Sequence, residues 1–149
     1  MDRFGFLASV IISMVTTAVC MLSGGNLLVE QETAATYTEA EIDLMARTVY
    51  AEAGNQDEIG QRLIVSVILN RLESDMQDFA DQDTVAKVIN APSQFVTADW
   101  APAESYDAVY KEIADRTNNS VLWFYSTGYP PYGEQLFQHG AHYFAGYTK

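Results

Sequence analysis

The stretch EIGQRLIVSVILNR, residues 58–71, decides the fold. Its centre, residues 63–69, is apolar on every side of a helix, although its β-branched residues also suit a buried strand. Polar residues on both flanks extend the run beyond the usual length of a strand, so the sequence predicts a helix. A helix that is apolar all round lies at the centre of a domain, and we expect the rest of the chain to pack around it.

The elements on either side of this helix predict an α+β fold. Thr38 and Glu41 form a capping box that begins an earlier helix, and Gly54 is placed to end it. Downstream, the sequence predicts helices at 85–90, capped by Asp83 or Thr84, and at 103–116; a strand at 121–125; and short strands at 136–137 and 142–144. We therefore expect a mainly helical domain with a small antiparallel β element near its C-terminus.

The start of the chain has a different character from the rest. Residues 4–22 are almost continuously apolar and carry no charge, which is typical of either a signal peptide or a retained membrane anchor. Both interpretations of residues 1–23 stay open. Residues 24–37 then predict a polar linker, and residues 38–149 a folded domain. We expect export to the cell envelope or the extracellular space.

Composition excludes several classes of protein. The 149 residues carry a net charge of −12 with only eight Lys and Arg, which disfavours nucleic-acid binding. The single cysteine excludes an internal disulfide and a cysteine-based zinc site. His139 and His142 have a spacing that is not typical of zinc ligands outside a helix, and no Glu completes an H-E-x-x-H motif. We expect no metal, and the sequence does not indicate an oligomeric state.

Glu52 is the most informative candidate for chemistry. At 100° per residue it falls in the same helical arc as Ile42, Met45 and Val49, so it continues the apolar stripe of the first helix. Burial raises the pKa of a carboxyl group, which keeps it protonated and suits a general acid. The alternative is a structural Glu at a helix end, held by Arg47 or by backbone N–H groups. Position alone does not separate these two interpretations.

Five motifs, in order along the chain, resemble one enzyme family. They are ARTVYAEA at 46–53, GQ at 60–61, VILNR at 67–71, TVAKVI at 84–89 with QF at 94–95, and HGAHYF at 139–144. Together they resemble the spore cortex-lytic enzyme and cell-wall hydrolase family, and the likeness extends from about Ile42 to Phe144. This chain departs from the family pattern at Ala51, where Gly is frequent, and at Gly54, where Arg is common.

The resemblance implies a lysozyme-like, lytic-transglycosylase-like domain that acts on the glycan strands of peptidoglycan. It implies cleavage between N-acetylmuramic acid and N-acetylglucosamine, with Glu52 as the catalytic acid. It also implies that no metal or organic cofactor takes part.

The number of carboxylates bears on the mechanism. Most glycosidases place two carboxylates around the scissile bond. The sequence offers Asp57, Glu58, Asp99 and Glu104 as second carboxylates, but none has the apolar setting of Glu52. This favours a lytic transglycosylase that uses one acid. The alternatives are a hydrolytic muramidase or glucosaminidase, an inactive wall-binding module, and a membrane-tethered interaction protein.

Six residues are candidates for contact with the substrate. Their amide, imidazole, phenol or aromatic groups suit hydrogen bonding to sugars or stacking against them. They are Tyr50, Asn70, Gln94, Phe95, Tyr125 and His142. Structural alternatives remain for four of them, because Tyr50 and Phe95 also suit the core, Asn70 a helix end, and His142 a buried hydrogen-bonding position.

Overall fold

The computed structural model describes residues 37–148. The predicted leader at 1–23 and all of the predicted linker except Tyr37 lie outside this part of the chain. Within residues 37–148, no helix has both the length and the apolar character needed to cross a bilayer.

The helical part is built around a central helix, as predicted. Helix α1 spans Glu39–Ala53, α2 spans Glu58–Leu72, α3 spans Val85–Ile89 and α4 spans Ala103–Ala114, with a short 3-10 turn at Gln77–Phe79. The stretch is α-helical throughout, so the strand interpretation is wrong, and every residue of α2 from position 63 to 71 is buried. Each fully buried Val, Ile or Leu stabilises the fold by about 1.5–3 kcal/mol, so α2 anchors the core.

The helix caps show why these segments begin where they do. Thr38 and Glu41 form the predicted capping box at the start of α1. Asp57 caps α2 by accepting a hydrogen bond from the Gly60 N–H, and Thr84 caps α3. Helix α4 ends at Ala114, before the predicted Arg116, because Asp115 is extended and Arg116 turns to pair with Glu73.

Three antiparallel strands form the β element. Strand β1 spans Val121–Tyr125, β2 spans Glu134–His139 and β3 spans His142–Gly146, with β3 in the middle of the sheet. The turn from β2 to β3 contains Gly140 at φ +53. A Cβ at this position would also clash with the side chain of Gln56, so the position requires glycine.

The β2–β3 turn docks against the loop that joins α1 to α2. The Ala141 N–H donates to the side-chain oxygen of Gln56 at 3.0 Å, and His139 Nε2 lies 2.7 Å from Asp57 Oδ1. The hydrogen bond from His139 holds the pKa of Asp57 below its ordinary value, and the Gly60 N–H adds to this effect. These contacts attach the sheet to the end of α1 that carries Glu52.

Candidate active site

Glu52 lies in the last turn of α1, half-buried. Its Oε1 accepts a hydrogen bond from the backbone N–H of Val96 at 2.5 Å. Arg47 does not pair with it, because that guanidinium binds Asp43 and the carbonyl oxygen of Ala98. The structural alternative predicted that Arg47 or a backbone N–H holds Glu52. The part that concerns Arg47 is wrong, whereas a backbone N–H does bond to Glu52.

Two opposing effects act on the Glu52 carboxyl group. Burial raises its pKa, and the hydrogen bond from Val96 opposes that rise, with burial the larger effect. A carboxyl group in this setting holds its proton to a higher pH than an exposed one. It also has one donor ready to stabilise the carboxylate after the proton is given away. Both properties suit a general acid that later acts as a base.

The turn just before Val96 contains a residue with a strained backbone. Ser93 has φ +58 and is the only non-glycine residue with positive φ among residues 37–148. Such a conformation costs about 1–3 kcal/mol and tends to occur at functional sites. Gln94 follows it and is exposed, whereas Phe95 is half-buried. The turn therefore presents Gln94 to solvent and directs the Val96 N–H at Glu52.

Arg71 fixes the position of the Gln94–Val96 segment from the interior of the protein. Its side chain is almost completely buried, at 3% exposure, and burial lowers its pKa to about 10, so it stays charged at neutral pH. It donates to the Leu122 carbonyl oxygen at 2.7 Å and to Gln94 Oε1 at 2.7 Å. Its guanidinium carbon also lies 5.1 Å from the centre of the Phe95 ring. One cation thus ties α2, β1 and the Gln94–Val96 segment together.

An aromatic row connects Phe95 to the sheet. The Phe95 and Phe124 rings lie 5.9 Å apart, and Phe124 lies 5.1 Å from the His142 ring. Burial lowers the pKa of His142, which keeps the ring neutral at neutral pH. Its Nδ1 has no hydrogen-bond partner within the described part of the chain. The structure thus joins two predicted substrate residues, Phe95 and His142, through a third ring.

Tyr125 is exposed at the end of β1. Its hydroxyl lies 2.6 Å from that of Tyr132 in the loop between β1 and β2. Tyr132 in turn packs edge-on against Trp123 at 5.3 Å. Tyr125 therefore belongs to an aromatic group on the sheet, and its hydroxyl is available to solvent.

Two predicted substrate residues have other roles in this structure. Asn70 is buried, with its amide nitrogen donating to the carbonyl oxygens of Asn118 and Val121 and its oxygen accepting from Arg116. Tyr50 packs against Trp100 with the ring centres 4.9 Å apart, and it lies about 160° around α1 from Glu52 at the helical pitch. Neither residue is brought to the Glu52 side, and we do not retain them in the proposed substrate site.

Two contributors to the site were not predicted from the sequence. Arg71 falls at helical spacing from Ile64, Val67 and Ile68, so the same stripe argument that selected Glu52 would have found it. The Val96 N–H has no signal in the sequence, because every residue except proline carries one. No group of three or more His, Cys, Asp or Glu residues within positions 37–148 is arranged to hold a metal ion.

Comparison with known proteins identifies the family of this chain. The model of the family described as Cell Wall Hydrolase matches residues 55–145. The chain belongs to this family. The matched stretch begins just after Glu52, so the family match does not itself include the proposed acid.

Two curated relatives agree with this membership. Cell wall hydrolase CwlJ of Bacillus subtilis is 38% identical over 58 residues, which are 39% of this chain and 41% of CwlJ. The spore cortex-lytic enzyme of Oceanobacillus iheyensis is 34% identical over 101 residues, which are 68% of this chain and 33% of that enzyme. The chain therefore matches well under half the length of each relative.

Solved structures share the fold. The catalytic domain of the Bacillus cereus SleB protein matches with a TM-score of 0.62 at 28% identity, covering 73% of this chain and 91% of that domain. The catalytic domain of the germination-specific lytic transglycosylase SleB from Bacillus anthracis matches with the same score and identity, with 96% of that domain covered. These matches confirm the predicted α+β, lysozyme-like fold.

Proposed function

We propose that this protein cleaves the glycan strands of peptidoglycan between N-acetylmuramic acid and N-acetylglucosamine, with Glu52 as its acid. The observation that carries the proposal is the setting of Glu52, where burial favours the protonated form and one backbone N–H stabilises the ionised form. Membership of the Cell Wall Hydrolase family supports the substrate class. Such a substrate lies outside the cytoplasmic membrane, and residues 4–22 are the candidate for export or attachment.

We further propose that the reaction is a lytic transglycosylation. Glu52 donates its proton to the glycosidic oxygen, and the bond from that oxygen to C1 of the muramic acid breaks. The Glu52 carboxylate then removes the proton from the 6-hydroxyl of the same sugar, and O6 bonds to C1 to give a 1,6-anhydro end. The proton returns to Glu52, so the step needs no water and no second carboxylate.

The surroundings of the other carboxylates support this choice. All four candidates for a second carboxylate are exposed: Asp57, Glu58, Asp99 and Glu104. Asp57 is engaged with His139 and Glu58 with Lys111. A hydrolytic muramidase or glucosaminidase is the alternative reaction, in which water attacks C1 and a reducing end forms. The structurally similar SleB domain from Bacillus anthracis is a lytic transglycosylase, which favours the first reaction.

The test uses purified peptidoglycan sacculi and mass spectrometry of the released products. The intact protein should release fragments with anhydro ends, and Glu52→Gln should reduce the rate by about 10²–10⁴-fold, the range for loss of a general acid. Glu58→Gln is the matched control, because it removes an exposed carboxylate and should keep full activity. Reducing ends would support the hydrolytic alternative, whereas full activity of Glu52→Gln would refute the role of Glu52. Binding to sacculi without any released fragment would indicate a wall-binding module.

A further inference from the structure

Residues 96–98 form a short loop that lies along α1, and each of the three residues bonds to that helix. The bonded pairs are Val96 with Glu52, Thr97 with Thr48, and Ala98 with Arg47. The partners follow one another in opposite order on the two segments, so the loop runs antiparallel to α1. We call residues 96–98 the donor loop, because they include the N–H that bonds to Glu52.

Neither secondary structure nor apolar packing fixes the donor of this loop. Residues 95–98 belong to no helix or strand, and the side chain of Val96 is 66% exposed. A hydrogen bond from an N–H to a carboxylate weakens steeply when its angle departs from the preferred range. The alignment of the Val96 N–H with Glu52 therefore depends on the bonds that neighbouring residues make.

Thr97 makes the contact nearest to the donor. Its partner Thr48 is completely buried and lies one helical turn before Glu52, on the same face of α1. The Thr48 hydroxyl donates to the carbonyl oxygen of Leu44 at 2.9 Å, so its only hydrogen is already used. The hydroxyl of Thr97, 2.9 Å away, is therefore the donor to Thr48 Oγ1, and this bond anchors the loop to a buried group.

Two arginines hold the chain on either side of this anchor. Arg47 donates from Nη1 to the Ala98 carbonyl oxygen at 3.1 Å, and its own carbonyl oxygen accepts from the Ala98 N–H at 3.2 Å. On the other side, Arg71 donates to Gln94 Oε1. The arginines fix the two ends of the segment, and Thr97 is the anchor between them.

The charged groups around the loop do not pair with Glu52. Arg47 forms an ion pair with Asp43, and no Lys, Arg or His among residues 37–148 forms one with Glu52. Burial raises the pKa of Glu52, and the Val96 N–H is the group that opposes this rise. A change in the position of the donor loop should therefore reach the acid through that N–H.

We propose that Thr97 is a positioning residue for the acid, whose hydroxyl bond to Thr48 aligns the Val96 N–H with Glu52. This inference rests on the proposed function for the role of Glu52 as an acid. It adds a residue that acts through the backbone of its neighbour. Without the anchor, the N–H stabilises the carboxylate less, so Glu52 keeps its proton to higher pH.

The chain allows matched variants of this anchor. Thr97→Val replaces the hydroxyl with a methyl group of similar size, whereas Thr97→Ser keeps the hydroxyl and removes the methyl group. Thr48→Val removes the acceptor and leaves Thr97 intact. Thermal unfolding of all three variants checks that the fold persists.

Hydrogen exchange of the Val96 amide, followed by NMR, tests the alignment directly. Thr97→Val and Thr48→Val should each lower the protection of this amide about 2–10-fold, the range for the loss of one hydrogen bond, and the double variant should lose no more than either. Thr97→Ser should match the parent protein.

NMR titration of the Glu52 side-chain carboxyl carbon tests the consequence for the acid. The midpoint should move to higher pH in Thr97→Val and stay in place in Thr97→Ser. In a Val96→Pro background, which lacks the N–H, Thr97→Val should cause no further change. On soluble glycan fragments, the alkaline limb of the kcat/KM profile should move in the same direction as the midpoint.

Three outcomes would overturn the proposal. They are an unchanged midpoint in Thr97→Val, equal changes in Thr97→Val and Thr97→Ser, or the same change with and without the Val96 N–H. A lower rate at every pH with an unchanged midpoint belongs to the first of these, and would assign Thr97 a structural role alone. Exchange and titration are measured without substrate, so their failure is distinguishable from failure of the proposed reaction, which the activity of Glu52→Gln tests.

Discussion

At the residue scale, the Val96 N–H favours the ionised form of Glu52, whereas burial favours the protonated form. Val96→Pro removes that donor. A hydrogen bond to a charged group stabilises it by about 1.5–3 kcal/mol, so loss of this bond should raise the pKa of Glu52 further. The protonated acid is the active form, and activity is lost as pH rises through its pKa. The loss of activity should therefore move to higher pH.

The measurement is the pH profile of kcat/KM on soluble glycan fragments. Val96→Ala is the control, because it keeps the N–H and shortens a side chain that is 66% exposed. Its profile should coincide with that of the parent protein. Coincident profiles for Val96→Pro and Val96→Ala would mean that the N–H does not influence the acid.

The same residues show what a sequence reveals about a site. The position of Glu52 on the apolar stripe followed from helical spacing, and the structure places it half-buried with a raised pKa. Asn70 stands in a motif of the family, yet its polar atoms hold the turn before β1, which only the path of the chain reveals. Residue type indicates what chemistry a side chain offers, and its neighbours decide whether that chemistry faces the protein or a substrate.

At the element scale, two of the polar links that join α2 to α4 differ in burial. Glu112 is completely buried and accepts hydrogen bonds from Ser66, from Arg62 at 3.0 Å, and from Thr117. Lys111 and Glu58 form an exposed pair. Glu112→Ala leaves a largely buried cation and three other donors, the Ser66 hydroxyl and the N–H and hydroxyl of Thr117, without their acceptor, so we expect a loss of about 3–5 kcal/mol in the free energy of unfolding.

Glu58→Ala provides the comparison, because it breaks the exposed link between the same two helices. An exposed ion pair contributes about 0–1 kcal/mol, so this variant should be close to the parent. Urea unfolding at neutral pH measures both. Similar losses in the two variants would show that the Glu112 network contributes no more than a surface pair.

The elements also differ in how far local sequence determined them. The helices were predicted within two residues at their starts, because Thr38, Asp57 and Thr84 are capping residues that act on adjacent backbone. Strand β2 was predicted only at 136–137, although it spans Glu134–His139. Half of its residues are exposed and polar, and pairing with β3 defines it. Such pairing is long-range information that no local pattern contains.

At the scale of the whole molecule, net charge governs the approach to the wall. The chain carries −12, and intact sacculi carry the carboxylates of their stem peptides, so the two repel each other at low ionic strength. Screening lengths fall from about 30 Å at 0.01 M salt to about 10 Å at 0.1 M. Added salt should therefore raise the cleavage rate on sacculi several-fold over this range.

Glycan chains whose stem peptides are removed and whose freed lactyl carboxylates are converted to amides separate this effect from any direct action of salt on the enzyme. These chains are uncharged, so the rate on them should stay constant as the salt concentration rises, while the rate on sacculi increases. The measurement is the initial rate on both substrates across the same salt series. A rate on sacculi that falls with salt would instead indicate attraction, and would locate a cationic contact on the wall-facing side of the protein.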